Sequence, residues 1–352
     1  MRPHIVLNAL ALHADGSGVQ TYGRELLRAL PTQIDADLTA VVQRCGAGEL
    51  PESMKRVIRR DCDGVRRTIE SLRSPGRRAD LVHALDVDLP LRPGAPSVAT
   101  VHDLSLFDEP TAFGPARRVG KQLTTRRSIR RADALIAVSA FTAERVRARF
   151  GRDSHVVLEA PGPEFVPPSA AAVSAVRDRF ALPEHFVLHV GNLEPRKDVP
   201  TLARAAATAG VPLVLAGAHI VTIDAPRGAQ LLGHVDPHDL PALYAAATVV
   251  AYVSRYEGFG LPPVEAMACG ATVMATRCGA LPEVAGDGIE FVPIGDADAQ
   301  AVALRELVGD PARRAERSRS GLTAVARLSW TTTARETVAV YRSLGVVPGG
   351  TA

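Results

Sequence analysis

HFVLHVGNLEPRKDVPTLARAAATAG, residues 185–210, decides the fold of this chain. It opens on an apolar run ending at Gly191, crosses a polar loop holding Arg196 and Lys197, and continues as an alanine-rich stretch that turns helical near Val199. A short Val/Leu run bounded by glycine suits a strand buried on both faces, the setting of a parallel sheet covered by helices. One such strand–loop–helix unit predicts more, and both halves of the chain supply them. In the second half VPLVLAG (211–217), AQLLG (229–233), VVAYVS (249–254), TVMATR (272–277) and IEFV (289–292) read as strands, with DLPALYAAA (239–247) and PVEAMACG (263–270) as helices between them. In the first half HIVLNAL (4–10), LTAVVQ (38–43), LVHAL (81–85), SVATVHD (97–103), ALIAVS (134–139) and HVVLEA (155–160) read as strands. VQTYGRELLRAL (19–30), RRVGKQLTTRRSIRRA (117–132) and SAFTAERVRARF (139–150) read as helices, the last capped by Ser139.

The Pro-, Ala- and Ser-rich stretch 161–183 separates the two series. The expectation is an α/β protein of two Rossmann-like, doubly wound parallel-sheet domains, at residues 1–165 and 183–328. A last helix within 329–352 is expected to cross back to the first domain. Ligands of such sheets bind beyond the carboxyl ends of the strands, so the expected site is a cleft between the domains.

Bulk properties narrow the function. The 352 residues carry a net charge of +3. Residues 1–165 hold 25 basic and 20 acidic side chains, an excess too mild for a nucleic-acid-binding protein. Four cysteines without C-x-x-C spacing point to a reduced, cytoplasmic chain without zinc. The N-terminal MRPHIVLNALALHADG reads as a buried strand rather than a leader peptide. The longest apolar run, LYAAATVVAYV, is too short to span a bilayer.

The loops after strands carry the candidate chemistry. RYEGFGLPPVEAMACG (255–270) places Glu257 and Glu265 eight positions apart around Gly258 and Gly260. The glycines permit close approach to a ligand, and Pro262 and Pro263 suit a first helical turn. Glu265 is expected in that turn, beside amides that attract phosphate. Two carboxylates so placed accept hydroxyl hydrogen bonds on either side of a diphosphate; an isolated pair at this spacing would read instead as helix-dipole or capping acids, and the glycine and proline setting favours the ligand reading. Arg196 and Lys197 offer a guanidinium fork and a point charge to phosphate. Gly16 and Gly18 precede a helix near Val19, but Thr21 stands where the dinucleotide fingerprint needs its last glycine, and LTAVVQR ends in Gln43 and Arg44 rather than an acid. His102 ends a strand, where either a ligand-facing or a structural histidine fits.

Together GSGVQTY, TVHDLSLF, AVSAFTAERV, LHVGNLEPRKDVPTL and EGFGLPPVEAMACG followed by LPEV resemble the retaining GT-B glycosyltransferases of family 4. The motifs run in order from residue 16 to about 295. The resemblance implies a GT-B fold with the acceptor on the first domain and the nucleotide on the second. It assigns Glu257 to donor-sugar hydroxyls, Glu265 to the ribose, and Arg196 and Lys197 to the diphosphate. Gly18 is implied to approach the diphosphate, and His102 to lie beside the reacting sugar. Backbone amides of Phe259, Gly260 and Leu261, after Gly258, are implied to touch sugar and phosphate, and Val235 to stand in a loop against the base. The family mostly shows a Gly-Gly pair where this chain has Gly16-Ser17-Gly18.

The implied reaction moves a hexose from GDP-mannose or a UDP-hexose to a hydroxyl of a carbohydrate, glycolipid or small-molecule acceptor. It needs no cofactor and no protein nucleophile. Alternatives are an NAD-dependent oxidoreductase and a non-catalytic nucleotide-sugar-binding protein. The triplets Asp61-Cys62-Asp63, Asp86-Val87-Asp88 and Asp296-Ala297-Asp298 are read as structural, with no metal expected. Segment 117–131 holds seven basic residues in fifteen, with Val119, Leu123 and Ile129 as its expected buried stripe. It is either a solvated face or a peripheral contact with the inner face of a membrane.

Overall fold

The computed structural model describes residues 2–13, 18–73, 78–109, 115–217 and 228–347. The chain divides into two compact units, one of Met1–Glu159 with Leu328–Ala352, the other of Ala160–Arg327.

The first unit is built on strands β1 (His4–Asn8), β2 (Asp37–Gln43), β3 (Lys55–Arg59), β4 (Leu81–Ala84), β5 (Ser97–Val101), β6 (Ala134–Ala137) and β7 (His155–Val156). Its helices are α1 (Gly18–Ala29), α2 (Gly64–Ser71), α3 (Ser105–Asp108), α4 (Pro115–Arg131) and α5 (Ala140–Phe150). The sheet order is β3-β2-β1-β4-β5-β6-β7, with every pairing parallel. β5 (SVATV) and β6 (ALIA) are buried along their whole length, while the edge strands β3 and β7 expose much of theirs. α5 shows how local chemistry bounds a helix. Ser139 Oγ accepts the Thr142 amide at 3.0 Å, and Gly151 at φ +64° ends the helix in the left-handed conformation.

The second unit opens with α6 (Ala170–Arg179), inside the stretch read from sequence as a boundary. Ser169 caps α6, and the Arg177 guanidinium ties it to the carbonyls of Pro183, Glu184 and Ala246. The proline-rich stretch is therefore part of the second unit's framework. The unit continues with β8 (Val187–Val190), α7 (Val199–Ala209), β9 (Leu213–Ala216), β10 (Gln230–Gly233), α8 (Leu240–Ala246), β11 (Val249–Tyr252), α9 (Leu261–Ala268), β12 (Val273–Thr276), α10 (Leu281–Ala285), β13 (Ile289–Val292), α11 (Ala297–Gly309) and α12 (Pro311–Val325). Its sheet, also parallel, runs β10-β9-β8-β11-β12-β13. One core cluster packs Val187, Leu215, Val249 and Met274 of the sheet against Leu202 of α7 and Leu304 of α11.

The last helix, α13 (Trp330–Ser343), belongs to the first unit. Its Tyr341 hydroxyl lies 2.7 Å from His83 Nδ1 in the core, and Trp330 packs edge-on to Tyr22. Both sheets reverse their winding beside their first strand, between β1 and β4 and between β8 and β11. Those switch points are where doubly wound sheets open a crevice for ligands.

Candidate active site

The loops after β8 and β11, the two strands flanking the second sheet's switch point, meet at one oxygen. Arg196 and Lys197 lie in a short 3₁₀ turn, Pro195–Lys197, just before α7. Glu257 follows β11 by five residues. Lys197 Nζ donates to Glu257 Oε1 at 2.7 Å and Arg196 Nη1 donates to the same oxygen at 2.9 Å. The Tyr252 hydroxyl adds a third donor at 3.1 Å, and Lys197 also bonds that hydroxyl. Arg196 is steadied from behind by Glu194 and by the Tyr256 carbonyl, at 2.8 and 3.1 Å.

The electrostatics follow from this geometry. Burial alone would raise the Glu257 carboxyl, but Lys197 and Arg196 outweigh it and hold the group at about 2. Burial pulls Lys197 below the ordinary lysine range, and Arg196 adds to this against the attraction of Glu257. Glu257 is shared by two cations, while the more exposed Glu194 pairs with Arg196 from the other side, so the cluster is formally neutral and its inner part presents two cations to one carboxylate at a switch point. That is an anion-binding arrangement, with the carboxylate holding the cations in place.

Glu265 is the fifth residue of α9, just past the first turn in which the sequence reading placed it, because the helix starts at Leu261, ahead of Pro262 and Pro263. It is buried and accepts the Tyr244 hydroxyl at 3.2 Å. The intervening Gly258, Phe259, Gly260 and Leu261 are all buried. Gly260 holds φ +96°, closed to other residues, and a Cβ there would sit 2.4 Å from Leu281 Cδ2. Gly279, at φ +53°, lets the turn before α10 lie directly on Glu257: a Cβ would come within 1.9 Å of the Glu257 carbonyl oxygen. Val235 stands in the turn between β10 and α8, with its side chain buried.

Two family models match the chain, "Glycosyl transferases group 1" over residues 176–322 and "Glycosyltransferase Family 4" over residues 16–159. An O-antigen chain mannosyltransferase B from Escherichia coli is 30% identical over 269 residues, covering 70% of each chain. The chain belongs to the group 1 glycosyltransferases. A D-inositol 3-phosphate glycosyltransferase from Streptosporangium roseum is 28% identical over 385 residues, covering 97% of this glycosyltransferase and 87% of that protein. A solved sucrose-phosphate synthase from Thermosynechococcus elongatus superposes with a TM-score of 0.81 at 22% identity, covering 98% and 99% of the two chains. The fold is therefore of the GT-B type, two Rossmann-like parallel-sheet units.

The remaining residues singled out in the glycosyltransferase sequence belong to its first unit. Gly18 is the first residue of α1 and is exposed; Gly16 and Ser17 lie outside the described residues. His102 follows β5 with both ring nitrogens engaged, Nδ1 to Glu159 Oε1 at 3.0 Å and Nε2 to the Leu85 carbonyl at 2.8 Å. Both partners are acceptors, an arrangement that favours a proton on each ring nitrogen. Burial opposes that charge, and the bonds to Glu159 and Leu85 together with nearby Asp86 raise the histidine above its ordinary value. Tyr22 of α1 packs edge-on to the ring at 4.7 Å.

The acidic triplets have structural employment. Asp61 accepts the Cys45 amide, Asp296 caps α11, and Asp86 and Asp88 flank Lys121. Among the described residues no cluster of His, Cys, Asp and Glu is arranged to hold a metal ion. The four cysteines are free. No described helix is long and apolar enough to cross a membrane. Sequence reasoning missed Tyr252, Tyr244 and Gly279. The first two sit in runs that read as core; the glycine's signal was its place just before LPEV.

Proposed function

We propose that this glycosyltransferase moves a hexose from a nucleotide diphosphate sugar to a hydroxyl acceptor with retention of configuration, and that the second unit binds the donor. The observation that carries the reading is the convergence of Arg196 and Lys197 on Glu257 at the β8/β11 switch point. When the bond from the anomeric carbon to the diphosphate breaks, negative charge grows on the leaving oxygens. Arg196 and Lys197, already paired and oriented, neutralise it without reorganising, and the amides opening α9 add their dipoles. Glu257, ionised at neutral pH, accepts hydroxyl hydrogen bonds from the donor sugar, and Glu265 accepts those of the ribose. Phe259, Gly260 and Leu261 offer backbone amides to sugar and phosphate, and the Val235 turn lies against the base. In the first unit His102 is held at both ring nitrogens, by Glu159 and by the Leu85 carbonyl.

The acceptor hydroxyl loses its proton to the departing diphosphate on the same face, so no protein base or nucleophile is required, and no metal is. GDP-mannose is the preferred donor, because the E. coli relative at 30% identity is named a mannosyltransferase. A UDP-hexose is the second candidate. The acceptor is a carbohydrate, a glycolipid or a small polyol.

Calorimetric titration tests the reading. GDP or UDP is expected to bind at one site while NADH does not. With the donor so identified, Glu257→Gln and Lys197→Ala are each expected to lower turnover at least about tenfold with intact folding, and turnover is expected to persist in excess chelator. Binding of NADH but of neither nucleotide, or near-native rates in both variants, would sink the assignment. Proton NMR of the product settles retention: an anomeric configuration opposite to the donor's would refute it.

A further inference from the structure

The apolar residues of α4 are not where its sequence pattern places them. Val119 and Leu123 were expected in the buried stripe with Ile129, yet only Ile129 is buried. The inward face of α4 carries Lys121, Thr125, Ser128 and Ile129 instead. Lys121 reaches Asp88 at 2.7 Å, and Ser128 Oγ accepts the Leu89 amide at 3.1 Å. Val119, Leu123, Arg126 and Arg130, at helical spacing, line the outward face.

This stripe continues onto neighbouring elements. Arg127 donates to the carbonyls of Leu89, Pro90 and Leu91, fastening that loop to α4. The Leu91 amide donates to the Leu72 carbonyl, at the end of α2. Large apolar side chains stand in water along all three: Val65 at 70% exposure, Ile69 and Leu91 at 52%, Val119 at 52% and Leu123 at 62%. Exposed Arg66, Arg92, Arg126 and Arg130 are interleaved with them. None of these four arginines has a side-chain ion pair or hydrogen bond among the described residues. Of the acids nearby, Glu70 pairs with Arg73 at 2.9 Å, and Asp86 and Asp88 are occupied by Lys121.

We propose that α2, the Leu91 loop and the outer face of α4 form one docking surface for an anionic bilayer. The exposed guanidinium groups of Arg66, Arg92, Arg126 and Arg130 meet lipid phosphates while the five apolar side chains enter the boundary between headgroup and acyl chain. The combination selects this occupant. A solvated helix face has no use for five exposed Val, Ile and Leu side chains, a neutral protein partner none for four exposed arginines, and nucleic acid rewards the charges without the aliphatic groups. The surface lies outside the donor site, so the proposal stands or falls independently of the proposed function.

Co-sedimentation of the full chain with vesicles of phosphatidylglycerol and phosphatidylcholine, against phosphatidylcholine alone, tests it. The wild type is expected to pellet only with the anionic vesicles, and less so as salt rises. V119S/L123S and R126Q/R130Q are each expected to weaken binding at least about tenfold, since each lipid-facing arginine contributes roughly 1 kcal/mol. Both variants should keep wild-type thermal stabilisation by GDP or UDP, which shows that folding and the donor site are intact. No pelleting with anionic vesicles, or wild-type pelleting by both variants, would overturn the proposal. So would a self-associated wild type that V119S/L123S converts to monomer, or duplex DNA binding as strong as vesicle binding and unchanged in V119S/L123S.

Discussion

Glu257 Oε1 receives hydrogen bonds from Lys197, Arg196 and Tyr252, more donors than one carboxylate oxygen has lone pairs. The arrangement holds two cations at a fixed point, balanced in formal charge by Glu257 and Glu194, and Tyr252 is its hinge, since its hydroxyl bonds Lys197 as well as the acid. Tyr252 touches the machinery without belonging to any recognisable motif. Tyr252→Phe is therefore expected to leave the fold intact and to weaken nucleoside diphosphate binding by about three- to tenfold, the value of one hydrogen bond in a charged network. Calorimetry against the wild type measures it; unchanged affinity would show that Lys197 needs no second anchor. Arg196, Lys197 and Glu257 were legible because glycines and prolines surround them in loops after strands. Tyr252 was not, because in VVAYVS a phenol reads as one more core aromatic and nothing in the pattern says where its hydroxyl points.

Between elements, the donor loop is shaped by what it rests on. The turn before α10 lies against the backbone of Glu257, and the Ala280 amide donates to the Glu257 carbonyl at 3.2 Å. Only glycine fits at 279, where a methyl group meets backbone rather than a flexible side chain. Gly279→Ala is expected to cost more than about 2 kcal/mol in denaturant unfolding or to push the Glu257 loop out of place. In either case nucleotide-induced stabilisation should fall; full stability together with wild-type nucleotide affinity would refute the contact. The same logic explains the uneven legibility of the elements. The interior strands are continuous Val/Ile/Leu runs and were readable as such. α12 has only Gly321 and Val325 buried, too little apolar surface to signal a helix. α4 misled for a definite reason. Ile129 stands six positions beyond Leu123, about 120° round the helix from it, so the three apolar residues never formed one narrow stripe.

Across the whole molecule, two buried histidines, His83 and His189, and the half-buried His102 shape how the two units answer acid. Burial, reinforced by the charge of His102, lowers His83 to about 3, and burial outweighs the Ala251 hydrogen bond to lower His189 to about 4. A histidine depressed below its unfolded value of about 6.5 contributes stability that is complete above that pH and declines as pH falls towards the folded value. Each costs its unit roughly 1.4 kcal/mol per pH unit, or about 2 kcal/mol by about pH 5. His102 has the opposite sign. Raised above its unfolded value, it stabilises fully below about pH 6.5 and loses that contribution as pH rises through its folded value. His83 and His102 share the first unit, where the His102 gain is complete by about pH 6.5 and the His83 loss alone operates below it. The second unit holds His189, and Glu257, held at about 2, adds a further loss there below about pH 4.5, as Asp86, also held at about 2, does in the first unit below about pH 4. Both units are therefore expected to lose stability in step between about pH 6.5 and 4. Amide exchange read by mass spectrometry, corrected for intrinsic rates, should show protection falling together in β8, β9 and β11 and in β1, β4 and β5. His189→Asn should flatten the pH dependence of the second unit alone. Loss confined to one unit over that window, or an unchanged second unit in His189→Asn, would show that these histidines do not govern the acid response.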